Sequence, residues 1–303
     1  MSKILDKLYF CNSHFNFLKN LLHINQLPNS VIISGNGGVG KKTFLSHFLL
    51  STQIKLDNTV NKKNDHLIVN DSKSLDNVFQ NKYSNIRIIQ KIDKSKAITI
   101  EQIRYIISYC EKSSLDGKPK FIGIVNIENL NINASNALLK ILEKPPENTF
   151  FFLLKNSENF INDTILSRCF KFNINFSIET SEKIFKELLN DYELNDFDNF
   201  KIFNKFDSAG SKIQRILYLR KNLIENNDPI DIINHCLNDY KKNKDIESLN
   251  YGVVFTKNLF LLKFKSNFKK FNKLYLMFVD TIEKSIKYNS DINPAINLLK
   301  RFI

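Results

Sequence analysis

Val31-Ile32-Ile33-Ser34-Gly35-Asn36-Gly37-Gly38-Val39-Gly40-Lys41-Lys42-Thr43 is the stretch that decides how this chain folds. An apolar run leads into four glycines, half of the eight in 303 residues, and an amphipathic segment beginning near Lys41 leads out. Strand, glycine loop and helix in the order G-x-x-x-x-G-K-[ST] make a P-loop; the competing reading is a glycine turn opening some other helix. Glycines let backbone N–H groups turn toward phosphate oxygens, the helix N-terminus adds partial positive charge, and Lys41 supplies a point charge. Gly35, Gly38, Gly40, Lys41 and Thr43 are therefore the candidate phosphate-binding residues. The hydroxyl that should hold Mg²⁺ belongs directly after Lys41, but the residue there is Lys42. An ammonium cannot ligate a cation. Thr43 comes one residue late, about 100° further round the helix. A P-loop NTPase needs metal to neutralise charge on the phosphates, so the loop reads as architecture that has lost its own catalysis. Lys42 could still add charge that tightens phosphate binding.

Outward from the loop, strands alternate with helices. Residues 12–26 read as a helix, with Phe15, Leu18, Leu21 and Leu22 on one face. Residues 41–52 form the helix after the loop, and 85–90 a strand. The polar, asparagine-rich stretch 53–81 gives no firm element. Thr99 and Gln102 make a capping box for a helix ending near Leu115, and Asp116-Gly117 turns the chain into strand 121–125. Asn133 is expected to cap helix 134–143, which Pro145-Pro146 halts. Thr149 to Leu154 is continuously apolar, as a buried parallel strand should be. A short helix precedes Ile165-Leu166-Ser167-Arg168-Cys169, and Phe170, Phe172 and Ile174 alternate after it. Such alternation predicts a parallel sheet covered on both faces. Past residue 176 every segment reads as helix: 178–190, 196–205, 211–224, 229–240, 247–262, 265–288 and 293–302. The expected domains are 1–175 (α/β), 176–226 and 227–303 (both helical), with a seam near Asn226 to Pro229.

Composition bounds the function. No stretch reaches the ~20 apolar residues of a membrane span, and the charged N-terminus has no signal-peptide core, so a cytoplasmic protein without membrane contact is expected. The net charge of +13 has two readings: a nucleic-acid partner, or the lysine-rich usage of an AT-rich genome. Between Lys257 and Lys273 lie six lysines and no acid. There Phe260, Phe264, Phe268, Phe271 and Tyr275 recur at steps of three and four, read chiefly as a packing stripe with snorkelling lysines and alternatively as a stacking platform for single-stranded DNA. Cys11, Cys110, Cys169 and Cys236 form no CxxC pair, so no metal site is expected from spacing.

Strand 121–125 should end in the acidic residues that hold Mg²⁺ through water. Val125 and Asn126 stand there instead, and Glu128 lies further along. At this point the chain resembles a family. Asn136-Ala137-Leu138-Leu139-Lys140-Ile141-Leu142-Glu143-Lys144-Pro145-Pro146, then the Phe150 to Leu154 strand, then Ser167-Arg168-Cys169, is similar to the AAA+ clamp-loader subunits of bacterial DNA polymerase III, and within them to the delta-prime type. The detailed match covers about residues 28–175. The resemblance implies an AAA+ P-loop domain, a small helical lid and an all-helical collar. It also implies a hetero-oligomer with gamma/tau motor subunits and a delta subunit that opens the sliding clamp and places it on primed DNA. ATP and Mg²⁺ would be bound by neighbours, with no cofactor of this chain's own. Arg168 would be lent in trans as an arginine finger, with Ser167 and Cys169 shaping its turn. Without the resemblance, the ordinary fate of Arg168 is a carboxylate in its own domain. The Gly210-Ser211-Lys212-Ile213-Gln214-Arg215 segment resembles the sensor 2 turn, with Ile213 where an arginine would touch phosphate. The four-cysteine zinc module common in the family is absent. Two other classes stay open: an active ATPase of the gamma/tau type, in which Thr43 and Glu128 recover metal binding, and a basic DNA-binding protein.

Overall fold

The computed structural model describes residues 7–53, 60–63, 66–69, 72–92, 97–112, 117–197, 203–222, 224 and 228–302. They form two compact units: Met1–Ile184 with Ser208–Gly210, and Phe185–Asp207 with Ser211–Ile303.

The first unit is the expected α/β P-loop domain. Strand β1 (Lys7–Tyr9) and helix α1 (Asn12–His23) precede β2 (Ser30–Gly35) and α2 (Lys41–Gln53). Then come β3 (Val60–Lys63), β4 (His66–Val69), α3 (Ser72–Phe79), β5 (Ile86–Ile89) and α4 (Ile100–Glu111). After them follow β6 (Lys120–Val125), α5 (Ile132–Glu143), β7 (Thr149–Asn156), α6 (Asp163–Leu166), β8 (Phe170–Asn173) and the first half of α7 (Ile178–Asp191), which passes into the second unit at Phe185. Five strands pair in the order β5-β6-β7-β2-β8, all parallel. A separate antiparallel sheet, β1-β4-β3, occupies part of the stretch that the sequence left without elements; residues 54–59, 64, 65, 70 and 71 of that stretch lie outside the described residues.

The apolar runs bury because both sheet faces are covered, and alternate side chains point to opposite faces. Val31, Ile33, Phe152 and Leu154 pack with Phe15, Phe44, Phe48 and Leu75 of α1 to α3. Ile32, Ile122, Ile124, Phe151 and Leu153 pack with Ile103, Ile106, Leu138 and Ile141 of α4 and α5. Phe44, Phe48, Phe121, Phe151 and Phe152 are fully buried, each worth ~1.5–3 kcal/mol over exposure.

Several boundaries differ from the sequence reading, each for a local reason. Helix α1 stops at His23, where Asn25 takes a left-handed φ of 53°. The Thr99–Gln102 capping box is present, but α4 ends at Glu111. There Lys120 Nζ donates to the free carbonyls of Tyr109 and Cys110, both at 3.0 Å; Leu115 and Asp116 lie outside the described residues. The cap of α5 is Asn131, not Asn133: Asn131 is extended, and its Oδ1 accepts the Ala134 N–H at 2.8 Å. Asn133 is already inside the first turn.

The second unit has helices and no strand among its described residues: the end of α7 from Phe185, α8 (Ala209–Lys221, which begins in the first unit), α9 (Pro229–Asn243), α10 (Ile246–Lys263), α11 (Phe268–Lys287) and α12 (Asn293–Phe302). Tyr218, Leu219 and Ile224 share one core with Ile232, Leu237, Phe255, Phe278 and Leu299. Asp228, Asp245 and Asn267 cap α9, α10 and α11. The helix expected over 196–205 is only a 3-10 turn at Asn195–Phe197, and residues 198–202 lie outside the described residues, as does Asn226 at the expected seam. Around Asn204 side chains replace helical hydrogen bonds: Asp207 Oδ2 accepts the Asn204 N–H and Asn204 Oδ1 the Phe206 N–H, both at 3.1 Å. The aromatic stripe is broken between α10 and α11. Phe260 and Phe271 are buried in the core, whereas Phe268 is 66% exposed. Lys257, Lys265, Lys269, Lys270 and Lys273 are exposed.

Asn131→Ala is expected to lower stability by about 1 kcal/mol, seen as a lower urea midpoint at unchanged slope. The same substitution at Asn133 should leave the midpoint nearly where it was.

Candidate functional site

The glycine loop leaves β2 at Gly35. A Cβ there would fall 2.5 Å from the Ile174 carbonyl oxygen, so only glycine fits. Gly38 and Gly40 have φ of 74° and 99°, the region that favours glycine. Helix α2 then opens at Lys41. Parallel pairing sets Gly35 beside Asn156 at the end of β7, and Lys41 reaches both. Its Nζ donates to Gly35 O at 2.6 Å, Asn36 O at 2.9 Å and Asn156 Oδ1 at 2.8 Å. Three protons meet three acceptors, as a buried ammonium requires. Burial lowers the Lys41 pKa to about 8, against the opposing pull of Glu128 and Glu158.

Lys42 does not face the loop. Its Nζ donates to Gln90 Oε1 at 3.0 Å and lies 5.1 Å from the Phe79 ring centre. The extra phosphate-binding charge expected of it is committed elsewhere, and burial lowers its pKa. Strand β6 ends in buried Val125, and Asn126 turns left-handed into a 3-10 turn, Ile127–Asn129. Glu128 in that turn is not a solvated side chain. Its Oε1 accepts Asn159 Nδ2 at 3.0 Å and the Asn156 N–H at 3.4 Å. Its Oε2 is buried with no hydrogen-bond partner among the described residues. The glycine conformations are those of a P-loop, but Lys41 Nζ is committed to Gly35, Asn36 and Asn156, and the positions that should grip magnesium carry Lys42, Val125 and Asn126. Among the described residues no group of three or more His, Cys, Asp or Glu could hold a metal ion.

Two contacts close over the loop backbone. Ser208 Oγ donates to Gly37 O, and a Cβ on Gly210 would fall 2.3 Å from Gly38 O. In the helical unit Ile213 is buried, and Arg215 pairs with Asp207 at 2.5 Å.

Arg168 stands apart from these residues. Asn162 caps α6 by accepting the Thr164 N–H at 3.1 Å, and Ser167 ends the helix. Arg168 Nη1 donates to Thr164 O at 2.8 Å, and Nη2 to Glu143 Oε1 at 2.6 Å. The pairing inside its own domain, expected of an unassigned arginine, is therefore present. Both side chains remain open to solvent, 34% and 51% exposed. A pair so exposed adds only about 0–1 kcal/mol to the stability of the fold. Ser167 Oγ donates to Thr164 O at 3.1 Å. Cys169 is half-buried beside the α4–α5 core, and burial pushes its thiol up to about 11. Sequence reasoning missed Asn156 and Gln90. Asn156 was within reach, as a polar residue closing an apolar strand; nothing local marks Gln90.

Residues 11–177 match the model of a protein family described as DNA polymerase III, delta subunit. The chain is 36% identical over 87 residues to DNA polymerase III subunit delta' of Buchnera aphidicola subsp. Schizaphis graminum, a match covering 29% of this chain and 26% of that one. It is 27% identical over 221 residues to DNA polymerase III subunit gamma of Buchnera aphidicola subsp. Acyrthosiphon pisum, covering 73% and 55%. The matched segments thus span about a quarter to a half of those relatives. A DNA polymerase III gamma subunit-related protein from Thermotoga maritima aligns over 93% of this chain and 97% of its own, with a TM-score of 0.48 and 18% identity, a likeness too loose to carry a functional argument.

Lys41 should release its proton near pH 8, measurable by NMR titration of its side chain. Between pH 8 and 10.5 the folded state then holds fewer protons than the unfolded state, so stability rises with pH across that window. Lys41→Met should rise less. An Lys41 midpoint near 10.5 would contradict the lowering by burial.

Proposed function

The chain belongs to the DNA polymerase III delta-subunit family, and on that premise we infer that it is a clamp-loader subunit that hydrolyses no ATP itself. It completes the ATP site of a neighbouring motor subunit of gamma or tau type, to which Arg168 is lent in trans. A delta subunit, the sliding clamp and, through the assembly, primed DNA are its further partners. Residues 176–226 serve as the lid and 227–303 as the collar. ATP and Mg²⁺ belong to the neighbours.

The observation that carries this reading is the Lys42 side chain, held by Gln90 where a metal-binding hydroxyl should stand. Phosphoryl transfer depends on metal bridging the phosphate oxygens, and the residue at the hydroxyl's position is a lysine that can ligate no metal and is turned toward Gln90. Arg168 supports the other half. It is always charged, planar and suited to phosphate, and its side chain stays open to solvent beside Glu143. The active-ATPase reading draws on one feature, the buried Oε2 of Glu128, which has no hydrogen-bond partner among the described residues.

In the reconstituted assembly, Arg168→Ala in this chain should lower ATP turnover at the one site it completes by about 10³-fold or more, as removal of an arginine finger does. This chain should stay folded and incorporated. Turnover unchanged from wild type would refute the finger role.

A further inference from the structure

We propose that Glu143 is the positioning residue for Arg168, holding its guanidinium at the surface with donors left for a neighbouring subunit's triphosphate. The inference rests on the finger reading above. Glu143 is the last residue of α5, and Arg168 follows α6. A carboxylate at a helix C-terminus is disfavoured by the helix dipole; a nearby guanidinium offsets this, so the pair has a reason to form beyond chance proximity. The contact is a charge-assisted hydrogen bond of 2.6 Å from Nη2 to Glu143 Oε1.

Two further contacts fix the same group. Nη1 donates to Thr164 O at 2.8 Å and lies 3.5 Å from Ser167 Oγ. An arginine has five N–H donors. These contacts engage Nη1 and one hydrogen of Nη2, which leaves the Nε–H and the second Nη2 hydrogen. A flexible arginine would have to be ordered at the moment of reaction; one braced from two sides is ordered beforehand. Thr164 O and Ser167 Oγ brace Nη1 from its own turn, and Glu143 braces Nη2 from a different helix. Among the described residues only the Glu143 contact ties the Arg168 guanidinium to another helix of the domain.

The test measures steady-state ATP turnover of the reconstituted assembly carrying Glu143→Ala or Glu143→Gln, each in wild-type and Arg168→Ala backgrounds. Expected is a fall in kcat of about tenfold or more for Glu143→Ala, with KM for ATP unchanged. Glu143→Gln keeps an acceptor oxygen and should fall less. Neither should lower turnover further once Arg168 is alanine. If Glu143→Ala fails to assemble, the isosteric Glu143→Gln decides, with a fall of about threefold expected. Unchanged or raised kcat in the deciding variant, a rise in KM instead, or an equal fall without Arg168 would overturn the proposal while leaving the finger intact. No effect of Arg168→Ala itself would overturn the finger reading and this proposal together.

Discussion

One ammonium group ties the glycine loop to the sheet. Lys41 opens α2, yet its Nζ reaches back to the carbonyls of Gly35 and Asn36 and across to Asn156 on the next strand. A buried cation without acceptors would be expensive, so the parallel register that sets Asn156 beside Gly35 is also what makes this lysine tolerable. The loop and the ends of β2 and β7 behave as one electrostatic unit. Ser157 reinforces it by donating its N–H to Gly35 O at 3.0 Å.

The second lysine gives that unit its particular character. In a metal-dependent loop the next residue would be a small hydroxyl facing the phosphates. Here a long cationic side chain leaves the loop for Gln90 and the Phe79 ring. The negative charge retained nearby, Glu128, is spent on Asn156 and Asn159 through one oxygen. These facts suit a subunit whose contribution to catalysis is a single exposed arginine at the far end of the P-loop domain's sequence.

The legible part of the fold was the part set by local pattern. Continuous apolar runs marked β2, β6 and β7 because parallel strands bury both faces, and glycines marked the loop because its φ values exclude most other residues. The illegible part was set by contacts between residues distant in sequence. Nothing near Glu143 announces Arg168, and nothing near Lys42 announces Gln90. The cap of α5 was misplaced because two asparagines stand two positions apart, and which one turns extended depends on where β6 delivers the chain. Residues 53–81 were opaque because their short strands lack a strong apolar period. At the site, Arg168 was legible only through the motif around it; its exposed ion pair with Glu143 was not.

The account turns on where ATP is cleaved, and the most direct measurement is ATP turnover by the purified chain alone in the presence of Mg²⁺. The account predicts no phosphate release above background. Sustained release that disappears on replacing Lys41 by methionine would contradict it, because this polypeptide's own loop would then be gripping metal and cleaving nucleotide.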